Sequence, residues 1–301
     1  MTTPNTEGSK AEPIQPGGKT EGTPIPRNSK VERFSRFNRV LHMLMILSFI
    51  SLALTGMTLK FSYTGWAGFL ARFFGGYESA GYIHRVAAVV MFGIFFAHMY
   101  DLTKRKKEEF GTWKALLFGP HTMLFTKRDL QEFIASVKWF LHKGPRPQYG
   151  RWTYWEKFDY FAVFWGVFVI GSTGLTLWFP EFFTLFIPGW YINVATIIHS
   201  DEALLAVGFI FTVHFFNTHL RPEKFPMDTV IFTGYQSVEE LQEDKPREYE
   251  ELVKSGRLQE LVVEQHPPVV IKTMKVFGWT ALALGFSIVL LIIYAMVFAY
   301  R

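Results

Sequence analysis

Five apolar runs, each long enough to cross a lipid bilayer, constrain the fold of this chain more than any other feature. They cover residues 40–59, 83–102, 158–179, 192–216 and 276–300. About 20 helical residues span a hydrocarbon core, where a helix satisfies its own backbone hydrogen bonds. The sequence therefore predicts an all-α integral membrane protein with five transmembrane helices.

The composition restricts the redox chemistry that is open to such a chain. None of the 301 residues is a cysteine, whereas nine are histidines. Without thiolates, the chain cannot ligate an iron–sulfur cluster through cysteine, attach a c-type heme or form a disulfide. Any redox centre must then be a non-covalent cofactor, and histidine is the obvious side chain to ligate it.

Basic residues predict the orientation of the helices. Lys30, Arg33, Arg36 and Arg39 precede the first run and Lys104-Arg105-Lys106-Lys107 follows the second, whereas the loops on the other side carry few basic residues. Because basic loops stay in the cytoplasm, we expect a cytoplasmic N-terminus and an external C-terminus. This asymmetry accounts for the net charge of +5, so we expect no nucleic-acid partner.

Composition divides the chain into four parts. They are a disordered cytoplasmic tail (1–30), a four-helix core (31–220), a charged cytoplasmic cap (221–272) that is helical around 238–261, and a fifth transmembrane helix (273–301). The core contains a cytoplasmic segment (103–150) in which Thr126 and Asp129 predict a capping box. The helix that follows is amphipathic and ends before Gly144-Pro145, so we expect it to lie along the inner membrane surface.

The core contains an internal repeat. Thr55-Gly56-Met57-Thr58-Leu59 in the first span matches Thr173-Gly174-Leu175-Thr176-Leu177 in the third. Ile83-His84 at the start of the second span matches Ile198-His199 at the start of the fourth. We therefore expect two related helical hairpins that form one four-helix bundle, with the fifth transmembrane helix added to it.

The histidines of the second and fourth spans lie at matching depths. His84 and His98 are 14 residues apart, and His199 and His214 are 15 apart. At 1.5 Å per residue, the members of each pair lie roughly 21 Å apart along the helix axis. Each of the two spans thus has one histidine near the outer surface and one near the inner surface.

Paired histidines at two depths predict two b-type hemes. One histidine in an apolar helix is often an ordinary core residue, but four at matched depths in related helices favour ligands. Low-spin heme iron takes two axial ligands, whereas a tetrahedral zinc site would need its ligands at one depth. His84 and His199 form the predicted outer site. The inner site has more candidates than it needs, because His42, His98, His214 and His219 all lie near the cytoplasmic side.

Small and basic residues could complete the heme sites. Gly93 and Gly208 each follow an outer histidine by nine residues, where a missing side chain would admit a porphyrin edge. Ordinary close packing of helices explains these glycines equally well. Arg36, Arg39 and Arg85 could pair with heme propionates, or they could face lipid headgroups.

In several motifs that include these histidines, the chain resembles the cytochrome b (gamma) subunits of membrane-bound formate dehydrogenases and nickel–iron hydrogenases. The motifs that carry the resemblance are Arg39-Val40-Leu41-His42, Thr55-Gly56, Ile83-His84, Gly150-Arg151-Trp152 with Lys157, and Ile198-His199 with His214. The spacing of the histidines is also similar to that in cytochrome b of quinol–cytochrome c oxidoreductases. The first resemblance implies His42 and His214 as the inner ligands, and the second implies His98 and His214. We favour the first, because it covers more of the chain, although it does not include the fifth helix.

The resemblance to the formate dehydrogenase subunits also implies a quinone site and a partner. By position it places menaquinone beside the inner heme, at Thr153, Tyr154, Trp155 and Glu156. We expect a prokaryotic plasma-membrane subunit that transfers electrons between a menaquinone or ubiquinone pool and an outer-face subunit with iron–sulfur clusters or c-type hemes. Two other classes of protein remain open. They are a transporter with a histidine proton relay, which would need polar residues at mid-membrane, and a membrane anchor without redox chemistry.

Overall fold

The structure is a computed structural model that describes residues 25–222, 224–225 and 227–299. Most of the predicted disordered tail (1–24) lies outside the described residues. In chain order the elements are β1 (Lys30–Glu32), α1 (Arg36–Lys60), α2 (Gly65–Phe73), α3 (Tyr77–Arg105), α4 (Trp113–Phe118), α5 (Lys127–Phe140), α6 (Tyr154–Trp178), α7 (Pro180–Phe183), α8 (Tyr191–Phe209), α9 (Val230–Thr233), β2 (Tyr235–Ser237), α10 (Val238–Asp244), α11 (Pro246–Lys254), β3 (Val262–Val263) and α12 (Pro268–Phe298).

Five helices in the described part of the chain are long and apolar enough to cross a membrane, as the sequence predicts. They are α1, α3, α6, α8 and α12, of which α3 and α8 are continued by π-helical turns. Most extend beyond the predicted apolar runs, because polar residues can begin a helix outside the apolar core. At α6, for example, the Thr153 hydroxyl accepts a hydrogen bond from the Glu156 amide, and the Glu156 carboxylate accepts one from the Thr153 amide.

The helices pack as the internal repeat predicts. α1 packs mainly against α3 and α6 mainly against α8, which gives two hairpins. α12 packs against α1 and against the π-helical turn Ile210–His214 that follows α8. Gly285 makes this approach possible, because a Cβ there would lie only 2.5 Å from the Phe211 ring. The fifth helix is therefore an integral part of the apolar core.

A small sheet lies at one end of the bundle, which the sequence did not predict. Its strand order is β2-β1-β3, with Lys30 opposite both Ser237 and Val263. Val31 at its centre is only 2% exposed and packs against α10. The prediction of a disordered tail is therefore wrong for Lys30, because pairing with two distant strands orders it. We refer to this sheet together with α9, α10 and α11 as the cap, and to its side of the bundle as the cap end.

The amphipathic helix α5 forms as predicted. The Asp129 carboxylate accepts hydrogen bonds from the Thr126 amide and hydroxyl, and it forms a 2.9 Å salt bridge with Lys157 of α6. Burial raises the pKa of Asp129, but these partners outweigh burial and lower the pKa below its usual value. The apolar residues of α5 lie exposed on the bundle surface, among them Leu130 and Phe140. Its position along a membrane surface remains a prediction.

Candidate cofactor site

One large cavity runs through the bundle between the two hairpins. Its volume is about 1490 Å³, larger than the roughly 300–1000 Å³ of a typical small-molecule pocket. It is lined by α1, α3, α6 and α8, and most of its wall is apolar. The histidines that line it are His42, His84, His98, His199, His214 and His219. The structure thus brings all the predicted ligands to a single space, large enough for more than one flat cofactor.

His84 and His199 lie opposite each other at the end of this cavity away from the cap. Their ring centroids are 6.2 Å apart and their planes differ by 73°. A metal ion bound to both rings, with metal–nitrogen bonds of about 2 Å, would separate the ring centres by roughly 6 Å. The observed separation therefore fits an iron between the two imidazoles, as in a bis-histidine heme.

The hydrogen bonds of His199 fix its tautomer. Its Nδ1 lies 2.9 Å from the backbone carbonyl of Ile170 and 3.3 Å from the hydroxyl oxygen of Thr173. A carbonyl can only accept, so Nδ1 carries the proton and donates it. In the neutral ring Nε2 then has a free lone pair, which is the form that binds a metal.

His84 is held in the same way. Its Nδ1 lies 3.0 Å from the Thr55 hydroxyl oxygen, and it also hydrogen-bonds the backbone of Leu52. The Thr55 hydroxyl donates its own proton to the Ser51 carbonyl at 2.6 Å, so its oxygen accepts from His84. The Nε2 atom of His84 is therefore also free to bind a metal.

Two glycines of the repeat allow the helices to approach these rings. A Cβ at Gly56 would lie 3.2 Å from Cε1 of His84, and one at Gly174 would lie 3.0 Å from Cε1 of His199. The structure does not support the role considered for Gly93 and Gly208, because neither lines the cavity. Among the described residues, nothing lies within 4 Å of a Cβ placed at either position. The two matching Thr-Gly motifs thus support the outer histidines. In the sequence they were visible only as a repeat.

At the cap end, His214 lies in a π-helical turn, Ile210–His214, and contacts Asp159 of α6. Nδ1 of His214 is 3.0 Å from Oδ2 of Asp159. A carboxylate accepts this proton and leaves Nε2 available, an arrangement common for metal-binding histidines. Single π-helical turns often occur at functional sites. Sequence reasoning missed Asp159, since an aspartate near a helix start is usually solvated.

His42 also lines the cavity at this end. Its Nδ1 is buried and has no hydrogen-bond partner in the described part of the chain, and the same holds for Nδ1 of His219. His42, His214 and His219 lie close enough for their charges to interact. His219 stacks on Phe232 of the cap, with ring centroids 6.4 Å apart. Three histidines thus converge at the cap end of the cavity.

His98 has a different environment. Its Nε2 lies 2.9 Å from the hydroxyl oxygen of Tyr160 on α6. Both rings pack against Phe164, with centroid distances of 6.1 Å and 4.8 Å. The charged groups nearest to His98 are Asp101 and Arg105 of its own helix. The nitrogen that would bind iron is therefore engaged by a tyrosine.

The four residues predicted to bind quinone have different surroundings. Thr153 is buried, and its hydroxyl donates to Glu156 at 2.8 Å, while Tyr154 packs on Phe133. Trp155 and Glu156 line the cavity, but Thr153 and Tyr154 do not. Glu156 also forms a 2.6 Å salt bridge with Lys245.

A buried charge cluster closes the cap end. Glu248 of α11 forms salt bridges with Arg33 at 2.6 Å and Arg151 at 2.7 Å. Burial raises the pKa of Glu248, but the two guanidinium groups outweigh it and lower the pKa below its usual value. Arg33 also donates a hydrogen bond to the Arg151 carbonyl. The sequence could not reveal this cluster, because Arg33 and Glu248 are 215 residues apart.

Comparison with known protein families identifies the part of the chain that forms the cavity. A family model described as prokaryotic cytochrome b561 matches residues 33–220, which is more than half of the chain. The match contains α1, α3, α6 and α8 together with the cavity histidines, and it leaves out the cap and α12. No curated protein matches the chain. The chain belongs to the prokaryotic cytochrome b561 family, the membrane cytochrome b subunits of nickel–iron hydrogenases and formate dehydrogenases, and is a multi-pass membrane protein that binds heme b for electron transfer.

Proposed function

We propose that this protein carries electrons across the membrane through two b-type hemes, between a quinone pool on the cap side and a redox partner on the opposite side. The observation that carries the proposal is the opposed pair of His84 and His199, whose Nδ1 atoms are both engaged. In both rings Nε2 is therefore left free to bind iron, as an axial ligand requires.

His42 and His214 are the proposed ligands of the second heme. The Nδ1 atom of His214 is engaged by Asp159, and that of His42 has no partner among the described residues. His98 is less suitable, because Tyr160 engages its Nε2. His219 is a third histidine near the pair, but it is packed on a cap residue.

Bound heme supplies one-electron chemistry, and the chain's own residues set its surroundings. Hydrogen bonds at Nδ1 fix the orientation of each imidazole and make it a better ligand. The largely apolar wall of the cavity provides an apolar environment for the cofactors. Two hemes at opposite ends of the cavity would provide the path through the membrane.

The two ends of the bundle suit different partners. The cap end carries the basic segments, so by the positive-inside rule we expect it to face the cytoplasm. Trp155 and Glu156 contribute to the cavity wall at this end. We propose that menaquinone or ubiquinone exchanges electrons with the protein on this side of the membrane. The opposite end carries exposed aromatic residues on α2 and α7, such as Phe73 and Phe182. This surface would meet the outer-face iron–sulfur or multiheme c-type subunit of a quinone-linked oxidoreductase complex.

A potentiometric titration of the purified protein tests this proposal. We expect a b-type absorption band that is reduced in two one-electron steps, with two hemes per chain. A single step with one heme per chain would leave only one site and would contradict the proposed path. A colourless protein would favour a transporter or a membrane anchor instead.

A further inference from the structure

The hydrogen-bonded pair of His98 and Tyr160 lines the cavity but is not needed to bind either proposed heme. Nε2 of His98 and the hydroxyl oxygen of Tyr160 are 2.9 Å apart, and the two rings come from different hairpins. A tyrosine hydroxyl can accept one hydrogen bond and donate another. When Tyr160 accepts from His98, its own proton is free for an acceptor in the cavity.

The walls around this pair suit a flat aromatic ligand. Phe164 packs against both His98 and Tyr160, and Phe95 packs against Phe164 with ring centroids 5.2 Å apart. All four rings line the cavity. Such a group of aromatic side chains offers both stacking and edge contacts to a further ring.

His98 and Tyr160 lie between α3 and α6, where a ligand can reach them from the membrane. These helices belong to different hairpins, since α3 packs mainly on α1 and α6 mainly on α8. α3 and α6 contact each other at few positions, and Phe161 and Trp165 of α6 line the cavity and are each half exposed. A ligand headgroup in the cavity could therefore extend an apolar tail between the two hairpins into lipid.

A polar route leads from the pair toward the cap end. Asp101 and Arg105 follow His98 by three and seven residues, so they lie on the same face of the helix and also line the cavity. Arg105 pairs with Glu109. Asp101 lies close enough to His98 for their charges to interact. A carboxylate in this position can pass protons between water and the cavity.

We propose that His98 and Tyr160 form the binding site for the headgroup of a membrane quinone, with the Tyr160 hydroxyl donating to one quinone carbonyl. This inference rests on the proposed quinone-linked function and assigns its site. Reduction of the quinone to quinol takes up two electrons and two protons. The electrons arrive through the electron-transfer path of the protein, and the protons come from water at the cap end, past Asp101.

The test measures quinone binding by isothermal titration of a short-tailed naphthoquinone into the heme-loaded protein in lipid nanodiscs. The variants are Tyr160→Phe, which removes only the hydroxyl, and His98→Gln. Tyr100→Phe is the matched control, because Tyr100 lies on α3 and is 72% exposed. We expect the Kd to rise about tenfold in the first two variants and to stay unchanged in the control, as for the loss of one ligand hydrogen bond. Heme content should equal that of the wild type in all three.

Two sets of results would overturn the inference, and they are distinguishable. If the wild type binds the quinone and Tyr160→Phe and His98→Gln bind it equally well, the site lies elsewhere while the proposed function stands. If the wild type binds no quinone, the quinone-linked function fails together with the site. Loss of heme from His98→Gln would also overturn the inference, because it would make His98 an iron ligand.

Discussion

The hydroxyl oxygen of Thr55 lies 3.0 Å from Nδ1 of His84, and this contact has a counterpart in the second hairpin. There the hydroxyl oxygen of Thr173 lies 3.3 Å from Nδ1 of His199. Each threonine also donates to the carbonyl four residues earlier in its helix. The repeat thus places not only the two histidines but also the groups that orient them.

Removing these hydroxyls should weaken heme binding. Replacing Thr55 or Thr173 by valine keeps the shape of the side chain but removes one hydrogen-bond acceptor of the histidine. Loss of such a partner typically lowers metal affinity by about 10–100-fold. We expect the lower part of this range, because backbone contacts at Leu52 and Ile170 remain. Thr280→Val on an exposed face of α12 is the control, and heme retention during dialysis against apomyoglobin is the measurement.

The glycines beside the outer histidines should be far less tolerant of alanine than those at mid-membrane. A Cβ at Gly56 or Gly174 would lie about 3 Å from an imidazole carbon, so the ring would have to shift by a few tenths of an ångström. Each alanine variant should therefore bind the outer heme more weakly and leave the inner one unaffected. Gly93→Ala and Gly208→Ala should retain both, since the described residues leave open space there. A pyridine hemochrome assay measures the heme content per chain. Less heme in Gly93→Ala and Gly208→Ala than in the alanine variants of Gly56 and Gly174 would contradict the assignment of the site.

Substitution of the cap-end histidines should identify the inner ligands. We expect His42→Gln and His214→Gln each to lose one heme, and His98→Gln to lose none. The Asp159→Asn variant should still bind the inner heme, but more weakly. The reason is that an amide oxygen stabilises the Nδ1 proton of His214 less than a carboxylate does. Loss of a heme in His98→Gln, with retention in His42→Gln, would reverse the ligand assignment.

The charge cluster at the cap end should make stability depend on pH. Arg33 and Glu248 are each 4% exposed at the side chain, so Glu248→Gln would leave the buried Arg33 without a full partner. We expect a loss of about 3 kcal/mol in the free energy of unfolding. The pKa of Glu248 is lowered in the folded protein. Its stabilising contribution is therefore fully present above the unfolded pKa of about 4.3 and is lost as pH falls through the folded pKa.

Thermal unfolding followed by circular dichroism in detergent, from neutral to acidic pH, measures this effect. Glu250→Gln serves as the control, because Glu250 pairs with Lys254 on the surface and such pairs contribute little. Equal melting temperatures for Glu248→Gln and Glu250→Gln across this range would contradict the role of the cluster.

The sequence predicted those features that depend on local pattern. Apolar length predicted the five helices, helical spacing predicted the depths of His84 and His199, and the capping box of Thr126 and Asp129 formed as expected. These signals lie within one helix or one repeat, so they can be read without knowledge of the packing.

Features that depend on distant contacts could not be predicted. The strand at Lys30 needs partners more than 200 residues away. The contacts of Asp159 with His214 and of Tyr160 with His98 depend on how the two hairpins meet. The π-helical turn at Ile210–His214 changes which face of the helix carries His214, and periodicity assumes a regular helix.

The most direct test of the outer heme site is the heme-to-chain ratio of His84→Gln beside that of the wild type, with both absorption spectra. We expect two b-type hemes per chain in the wild type and one in the variant, with the spectrum of the inner heme unchanged. Two hemes in His84→Gln would contradict the assignment of the outer site, since the pair of His84 and His199 would then not bind iron.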